Sequence, residues 1–145
     1  MGVIEATVSV PVAREELFER LARLENHWAL ADRWVEVMSL NGGGDGGVVR
    51  LNGPLGLSRT ARTTVDRLEP PNLIEGTAAI GDGTRGRVRW TFEPEGNATR
   101  VTLRAELVEA SSLDRAVWDL GGRGWLESRL RVTLERLRAD YQSKD

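Results

Sequence analysis

VRWTFEPEGNATRVTLRAEL, residues 88 to 107, carries the clearest strand pattern of the chain. Apolar and polar residues alternate on both sides of Gly96-Asn97, a dipeptide typical of tight turns between strands. Side chains of a strand point alternately to its two faces, so each half of the stretch has one apolar face. These faces consist of Val88, Trp90 and Phe92 in the first half and Val101, Leu103, Ala105 and Leu107 in the second. The stretch therefore predicts an antiparallel hairpin with one buried face.

Strand patterns also precede this hairpin. The first runs from Val3 to Val10, and the others are WVEVMSL (34–40), VVRLNG (48–53), SRTARTTVDRLE (58–69) and LIEGTAAI (73–80). With the two hairpin strands, 85–93 and 99–109, they make seven. Gly, Pro, Asn and Asp residues end most of them, and the short connections favour an antiparallel meander.

Helical spacing appears in three places. Leu17, Phe18 and Leu21 recur at helical intervals after Pro11, and ENHWALADRW (25–34) is interpreted as a second, short helix. The chain then ends in one long amphipathic helix from about residue 113 to about residue 141. Its apolar stripe consists of Leu126, Leu130, Leu134, Leu137 and Tyr141.

The order of elements is therefore β-α-α-β-β-β-β-β-β-α, an α+β fold. The 145 residues are interpreted as one domain, 1–145, since no linker or repeat divides them. A long helix and seven antiparallel strands bury their apolar faces together when the curved sheet wraps around the helix.

Composition excludes several function classes. The chain has no cysteine and one histidine, so neither a metal site nor a metal cofactor is expected, and no other cofactor is predicted. A formal net charge of −2 argues against a general nucleic-acid-binding protein. No apolar run is long enough for a membrane span, and the N-terminus lacks the features of a signal peptide. We therefore expect a cytoplasmic protein.

The order of elements resembles that of the START-like (SRPBCC) superfamily, in its polyketide cyclase/dehydrase branch. The resemblance is carried by VSVPVAREELFERLARLEN (8–26), DRLEPPNLIEG (66–76) and the hairpin at 88–107, and it spans nearly the whole chain. It implies a helix-grip fold with an apolar cavity between the sheet and the long helix. Members include cyclases, lipid and hormone carriers and regulators of other proteins, so the resemblance alone selects no activity.

The long helix begins with an unusual run, DLGGRGWLESRL (119–130). Glycine lowers helix stability by about 1 kcal/mol relative to alanine. The run is therefore compatible with two structures. One is a kink in the helix, and the other is a cavity beneath the helix with tryptophan side chains in its wall. The family resemblance favours the cavity. The residues predicted to contact a ligand there are Thr63, Val88, Trp90, Phe92, Val101, Leu103, Trp118, Gly122 and Trp125.

Three functions follow from these patterns. The first is binding of a small hydrophobic molecule, lipid-like or aromatic, in the cavity. The second is an aromatase/cyclase-type enzyme, for which Thr63 and Arg67 are the candidate catalytic residues because they share the parity of the inward face of 58–69. The third is a protein- or RNA-interaction module that uses the outer sheet face with Arg85, Arg87, Arg89 and Arg104. No proton-transfer pair is evident, so the sequence favours binding.

Overall fold

The computed structural model describes residues 2–23, 34–40, 46–53, 58–81 and 83–142. Its strands are β1 (Gly2–Val10), β2 (Val35–Leu40), β3 (Gly46–Asn52), β4 (Ser58–Glu69), β5 (Leu73–Ile80), β6 (Thr84–Glu95) and β7 (Ala98–Glu109). Its helices are α1 (Arg14–Leu21), α2 (Ser112–Val117) and α3 (Arg123–Gln142), with a π-helical turn at Trp118–Gly122 between the last two. All seven predicted strands are confirmed, each within two residues of its predicted ends.

The strands form one antiparallel sheet in the order β1-β7-β6-β5-β4-β3-β2. Each strand from β2 to β7 pairs with its neighbour in sequence, and β1 closes the other edge by pairing with β7. The sheet curves around α3, which packs against β1 and β7. The predicted α+β helix-grip architecture is therefore confirmed.

One end of the sheet is closed by a dense core, which we call the packed end. Val10, Phe92 and Val101 from the strands meet Leu17 from α1 and Leu134 from α3, and each of these side chains is almost completely buried. The rings of Phe18 and Phe92 pack edge to face, with their centroids 6.1 Å apart. α1 covers this end, and branched and aromatic side chains fill the covered volume at the close packing of protein interiors, where smaller side chains would leave voids.

The long C-terminal helix is not continuous, and this corrects the prediction of one helix from 113 to 141. Gly121 has φ +131°, a conformation that L residues with side chains rarely adopt, and it lies inside the π-helical turn. The turn separates α2 from α3, so the glycine run does kink the helix. The second predicted helix (25–34) falls almost wholly on residues 24–33, which lie outside the described residues.

Candidate functional site: an apolar cavity

A cavity of about 220 Å³ lies between the sheet and α3, at the end of the sheet opposite α1. We call this the cavity end. Strands β2 to β7, the π-helical turn and α3 all contribute to its wall. The strand side chains that face it include Val49, Ala61, Ile74, Ala78, Val88 and Leu103.

Small residues on the inward face of the sheet create this space. In the middle of β5 the inward positions are Gly76 and Ala78, flanked by Ile74 and Ile80, and in β6 the inward positions begin with Gly86. Further along β6 the same face carries Trp90, which is 2% exposed and still borders the cavity, and then Phe92 of the packed end, which is 1% exposed. Side-chain volume thus falls along β6 from Phe92 to Gly86, the middle of β5 carries only Gly76 and Ala78 on this face, and the helix does not move in to fill the difference.

Indole rings form much of the cavity wall. Trp90 and Trp118 both line it, and so does Trp34, which sequence analysis did not identify as a site residue. Trp34 packs edge to face against Trp125, with ring centroids 5.8 Å apart and planes at 88°. This pair joins the end of the sheet at β2 to α3. The sequence offered no signal for the contact, since the two residues lie far apart in the chain.

Five of the nine predicted ligand contacts border the cavity, and the structure corrects the placement of the other four. Phe92 and Val101 lie on the predicted inward face, but they belong to the packed end. Trp125 contacts Trp34 and Arg129 and stands behind the wall. The five that border the cavity are Thr63, Val88, Trp90, Leu103 and Trp118.

Gly122 is the fourth corrected residue. It is buried against the backbone of the π-helical turn, where an added Cβ would lie 2.7 Å from the carbonyl oxygen of Val117. Its lack of a side chain therefore serves close backbone packing. The space under the helix comes instead from the small residues of the sheet.

Two threonine hydroxyl groups lie in the cavity wall, one on the sheet and one on α3. Thr63 Oγ1 donates to the carbonyl of Gly47 at 3.3 Å, and Thr133 Oγ1 donates to the carbonyl of Arg129 at 2.9 Å. Thr133 was not among the predicted site residues, because it is a polar residue beside the apolar stripe of α3. With their protons used in this way, both oxygens keep lone pairs that can accept a hydrogen bond.

Arg67 does not lie inside, so the prediction that its side chain faces inward is wrong. A β-bulge between Val65 and Arg67 shifts the register, so Arg67 pairs with Glu75 on the outer face. Its guanidinium forms ion pairs with Glu69 and, at 3.9 Å, with Glu75. One extra residue in the strand reverses the parity on which the prediction depended.

A polar cluster lies where α2 meets the sheet, and we call it the α2 latch. Asp114 forms an ion pair with Arg59 of β4 and accepts a hydrogen bond from Thr84 of β6. Ser111 caps α2 because its Oγ accepts a 3.2 Å hydrogen bond from the backbone N–H of Asp114, and its own backbone N–H donates to Thr84 Oγ1. α2 itself buries no residue, so these polar contacts hold it in place.

The latch lowers the pKa of Asp114. Burial raises the pKa of this carboxyl, but hydrogen bonds from Thr84 and Arg59, together with that of Ser111 and the charge of Arg59, outweigh burial. The pKa of Asp114 therefore lies below the ordinary value for an aspartate. Asp114 is therefore ionised in the folded protein at neutral pH.

The outer face of the sheet is rich in arginine, and two of the four arginines predicted to form a binding surface, Arg85 and Arg89, form ion pairs with carboxylates. Arg89 donates to the buried Glu75 at 2.6 Å, and Arg85 lies 3.0 Å from Glu109. Arg87 stands opposite Glu106 on the neighbouring strand. These pairs favour a charge-balanced, solvated face over a docking surface for an anionic partner.

Metal-ligating clusters and helices fit to span a membrane are absent from the part of the chain that the structure describes. Within it, no three His, Cys, Asp or Glu residues lie together in a way that would hold a metal ion. The helices described there are also too short or too polar to cross a bilayer.

The geometry agrees with a match to a family of known proteins. Residues 1–142 match the model of the family described as "Polyketide cyclase / dehydrase and lipid transport". The chain belongs to this family. The resemblance inferred from the three sequence segments is thereby confirmed.

Solved structures share the fold of this polyketide cyclase/dehydrase family member. TTHA0849 from Thermus thermophilus has 17% identity and a TM-score of 0.71, with 99% of each chain covered. The Zhui aromatase/cyclase from Streptomyces sp. R1128 has 17% identity and a TM-score of 0.67, with 97% of this chain and 93% of that chain covered. A START superfamily protein from Mycobacterium smegmatis has 16% identity and a TM-score of 0.62, with 93% and 98% covered. At these identities the likeness establishes the fold alone, and no curated protein sequence matches the chain significantly.

Proposed function

We propose that the protein binds a small, uncharged, ring-containing molecule in the cavity. The observation that carries this proposal is the combination of an unfilled space of about 220 Å³ and a wall of aliphatic and indole side chains. Small-molecule sites are mostly apolar concavities with few polar groups. A cavity of this kind weakens the fold unless something occupies it, because its wall atoms lack contacts.

The volume limits the size of the ligand. Apolar cavities of about 150 Å³ hold benzene, whereas pockets for drug-sized molecules begin at about 300 Å³. At about 220 Å³ the cavity fits a molecule with a single ring or with two fused rings. Ten or so non-hydrogen atoms would need roughly 0.8 kcal/mol each for a micromolar Kd, which is within the range for small ligands.

The charge of the wall supports an uncharged ligand. Among described residues bordering the cavity, Arg87 and Glu106 are the ionisable ones, and both also line a separate cleft on the outer face. Strand alternation directs their side chains outward, so only their backbones border the cavity. An ionised ligand would lose its hydration without gaining a partner from these walls.

A matched pair of variants tests the proposal. Ala78 borders the cavity, while its neighbour Ala79 is exposed on the other face. We expect wild type and Ala79→Leu to bind 1-naphthol with the same Kd in a tryptophan-fluorescence titration, and Ala78→Leu to bind at least ten-fold more weakly because its side chain occupies the space. Equal affinity of the two variants, or no saturable binding by wild type, contradicts the proposal.

An aromatase/cyclase activity is the second candidate, and the position of Thr63 favours it. Its oxygen lies in the cavity wall with its proton donated to Gly47, so it can accept a hydrogen bond from an enol hydroxyl of a bound polyketide. Thr63→Val keeps the shape of the side chain and removes the hydroxyl. If the protein is an enzyme that uses this group, Thr63→Val lowers kcat on an aromatic polyketide precursor while naphthol binding is unchanged. Equal turnover by wild type and variant would exclude a catalytic Thr63.

A further inference from the structure

Gly2, the first residue of β1, lies against the indole of Trp118. A Cβ placed on Gly2 would lie 2.6 Å from Cζ2 and 2.8 Å from both Cε2 and Nε1 of that ring. Carbon atoms in normal contact are about 3.5–4.0 Å apart. The indole therefore occupies space that any other residue at position 2 would claim for its own side chain.

The same indole also lines the cavity. Trp118 borders it from the π-helical turn and packs against the main hydrophobic core. Gly2 stands opposite Leu107 in the β1–β7 pairing, and Leu107 is a cavity residue as well. The indole thus lies between the end of β1 and the cavity. A side chain added at Gly2 would therefore displace the ring toward the cavity.

We propose that Gly2, which does not itself border the cavity, sets the upper size limit of the ligand by allowing Trp118 to retract. This inference rests on the proposed binding function. A side chain at position 2 displaces the ring by about 1 Å or more, as the contact distances require. Trp118 lies in the short π-helical turn, whereas Gly2 is held in the β1–β7 ladder, so the ring yields more readily than the strand.

The test measures ligand size preference. Wild type, Gly2→Ala and Gly2→Val are titrated with phenol and with 1-naphthol by isothermal calorimetry. We expect phenol affinity to change by less than two-fold. Affinity for 1-naphthol should fall by about three-fold in Gly2→Ala and ten-fold or more in Gly2→Val, because only the larger probe needs the space that the retracted indole leaves.

Two further variants separate this effect from general damage to the fold. Gly124→Ala adds a methyl group with no atom within 4 Å, so its affinities should equal those of wild type. Trp118→Ala in the Gly2→Val background should restore 1-naphthol binding, since it removes the displaced ring. If Gly2→Val lowers the Tm, the comparison uses Gly2→Ala, whose smaller side chain disturbs the fold less.

The outcomes distinguish this inference from the function on which it rests. If wild type binds neither probe, the proposed function fails. If wild type binds 1-naphthol and the Gly2 variants keep its full affinity or accept larger probes, the binding function stands and the role of Gly2 is wrong.

Discussion

The two ends of one sheet and one helix differ in how completely they are filled. At the packed end, Phe92, Leu17 and Leu134 leave almost no surface exposed, and α1 covers them. At the cavity end, Gly76 and Ala78 face α3 across the cavity, and Trp118 of the π-helical turn borders the same space. One end thus supplies most of the stability, and the other keeps space at a cost in stability. The fold therefore separates its structural core from its cavity along the length of the strands.

The largest expected difference is between alanine substitutions at the two ends, in how much each lowers the free energy of unfolding. Phe92→Ala removes a ring that is 1% exposed and should lower the free energy of unfolding by about 3–5 kcal/mol. Leu126→Ala, in the cavity wall, removes a partly buried side chain that already borders empty space and should cost about 1–2 kcal/mol. Urea denaturation curves measure both, and equal losses would remove the distinction between the two ends.

Breaking the α2 latch should lower the stability of the fold by a smaller amount, and this loss should depend on pH. Asp114→Asn weakens hydrogen bonds to charged groups and should cost about 1–2 kcal/mol at pH 7. Because folding lowers the pKa of Asp114, its contribution is present above the pKa of the unfolded state and is lost as pH falls through that of the folded state. The difference in Tm between wild type and variant should therefore shrink toward zero below about pH 4.

Asp119→Asn is the control for this effect, since Asp119 is exposed in the neighbouring π-helical turn. Its Tm should follow that of wild type throughout the pH series. A difference between wild type and Asp114→Asn that stays constant down to about pH 3, below the ordinary aspartate pKa, would show that the charge of Asp114 does not hold α2.

Substitutions of arginines on the outer face should change the free energy of unfolding least. Arg67 is half exposed, so Arg67→Gln should change the free energy of unfolding by less than about 0.5 kcal/mol and leave 1-naphthol affinity unchanged. Arg89→Gln should cost more, because the carboxylate of Glu75 is buried and loses its 2.6 Å partner. A marked loss of ligand affinity in Arg67→Gln would place that residue in the site after all.

Most of the fold could be predicted from the sequence because each strand carries its own alternation and most turns carry their own glycine, proline or asparagine. Parity also placed Val88, Trp90 and Leu103 in the cavity wall. Parity fails where a strand gains a residue, and the bulge before Arg67 had no distinctive residue to reveal it.

Other features depended on contacts that no local pattern carries. Alternation identifies a face but does not say where along it the core ends, so Phe92 and Val101 were assigned to the cavity. The Trp34–Trp125 pair and the approach of Gly2 to Trp118 join residues far apart in sequence. The glycine run itself allowed both a kink and a cavity, and the structure shows the kink in the helix and the cavity beside it.

Methyl groups at the two ends, compared by NMR, test the separation of core and binding cavity without any substitution. A sample with ¹³C-labelled alanine, leucine and valine methyl groups is titrated with 1-naphthol. We predict saturable shift changes at Ala78, Leu103 and Leu126, which border the cavity, and unchanged signals at Leu17 and Leu137, which lie in the packed end. Changes of equal size at both ends, or changes confined to the outer face, would contradict a separate binding end.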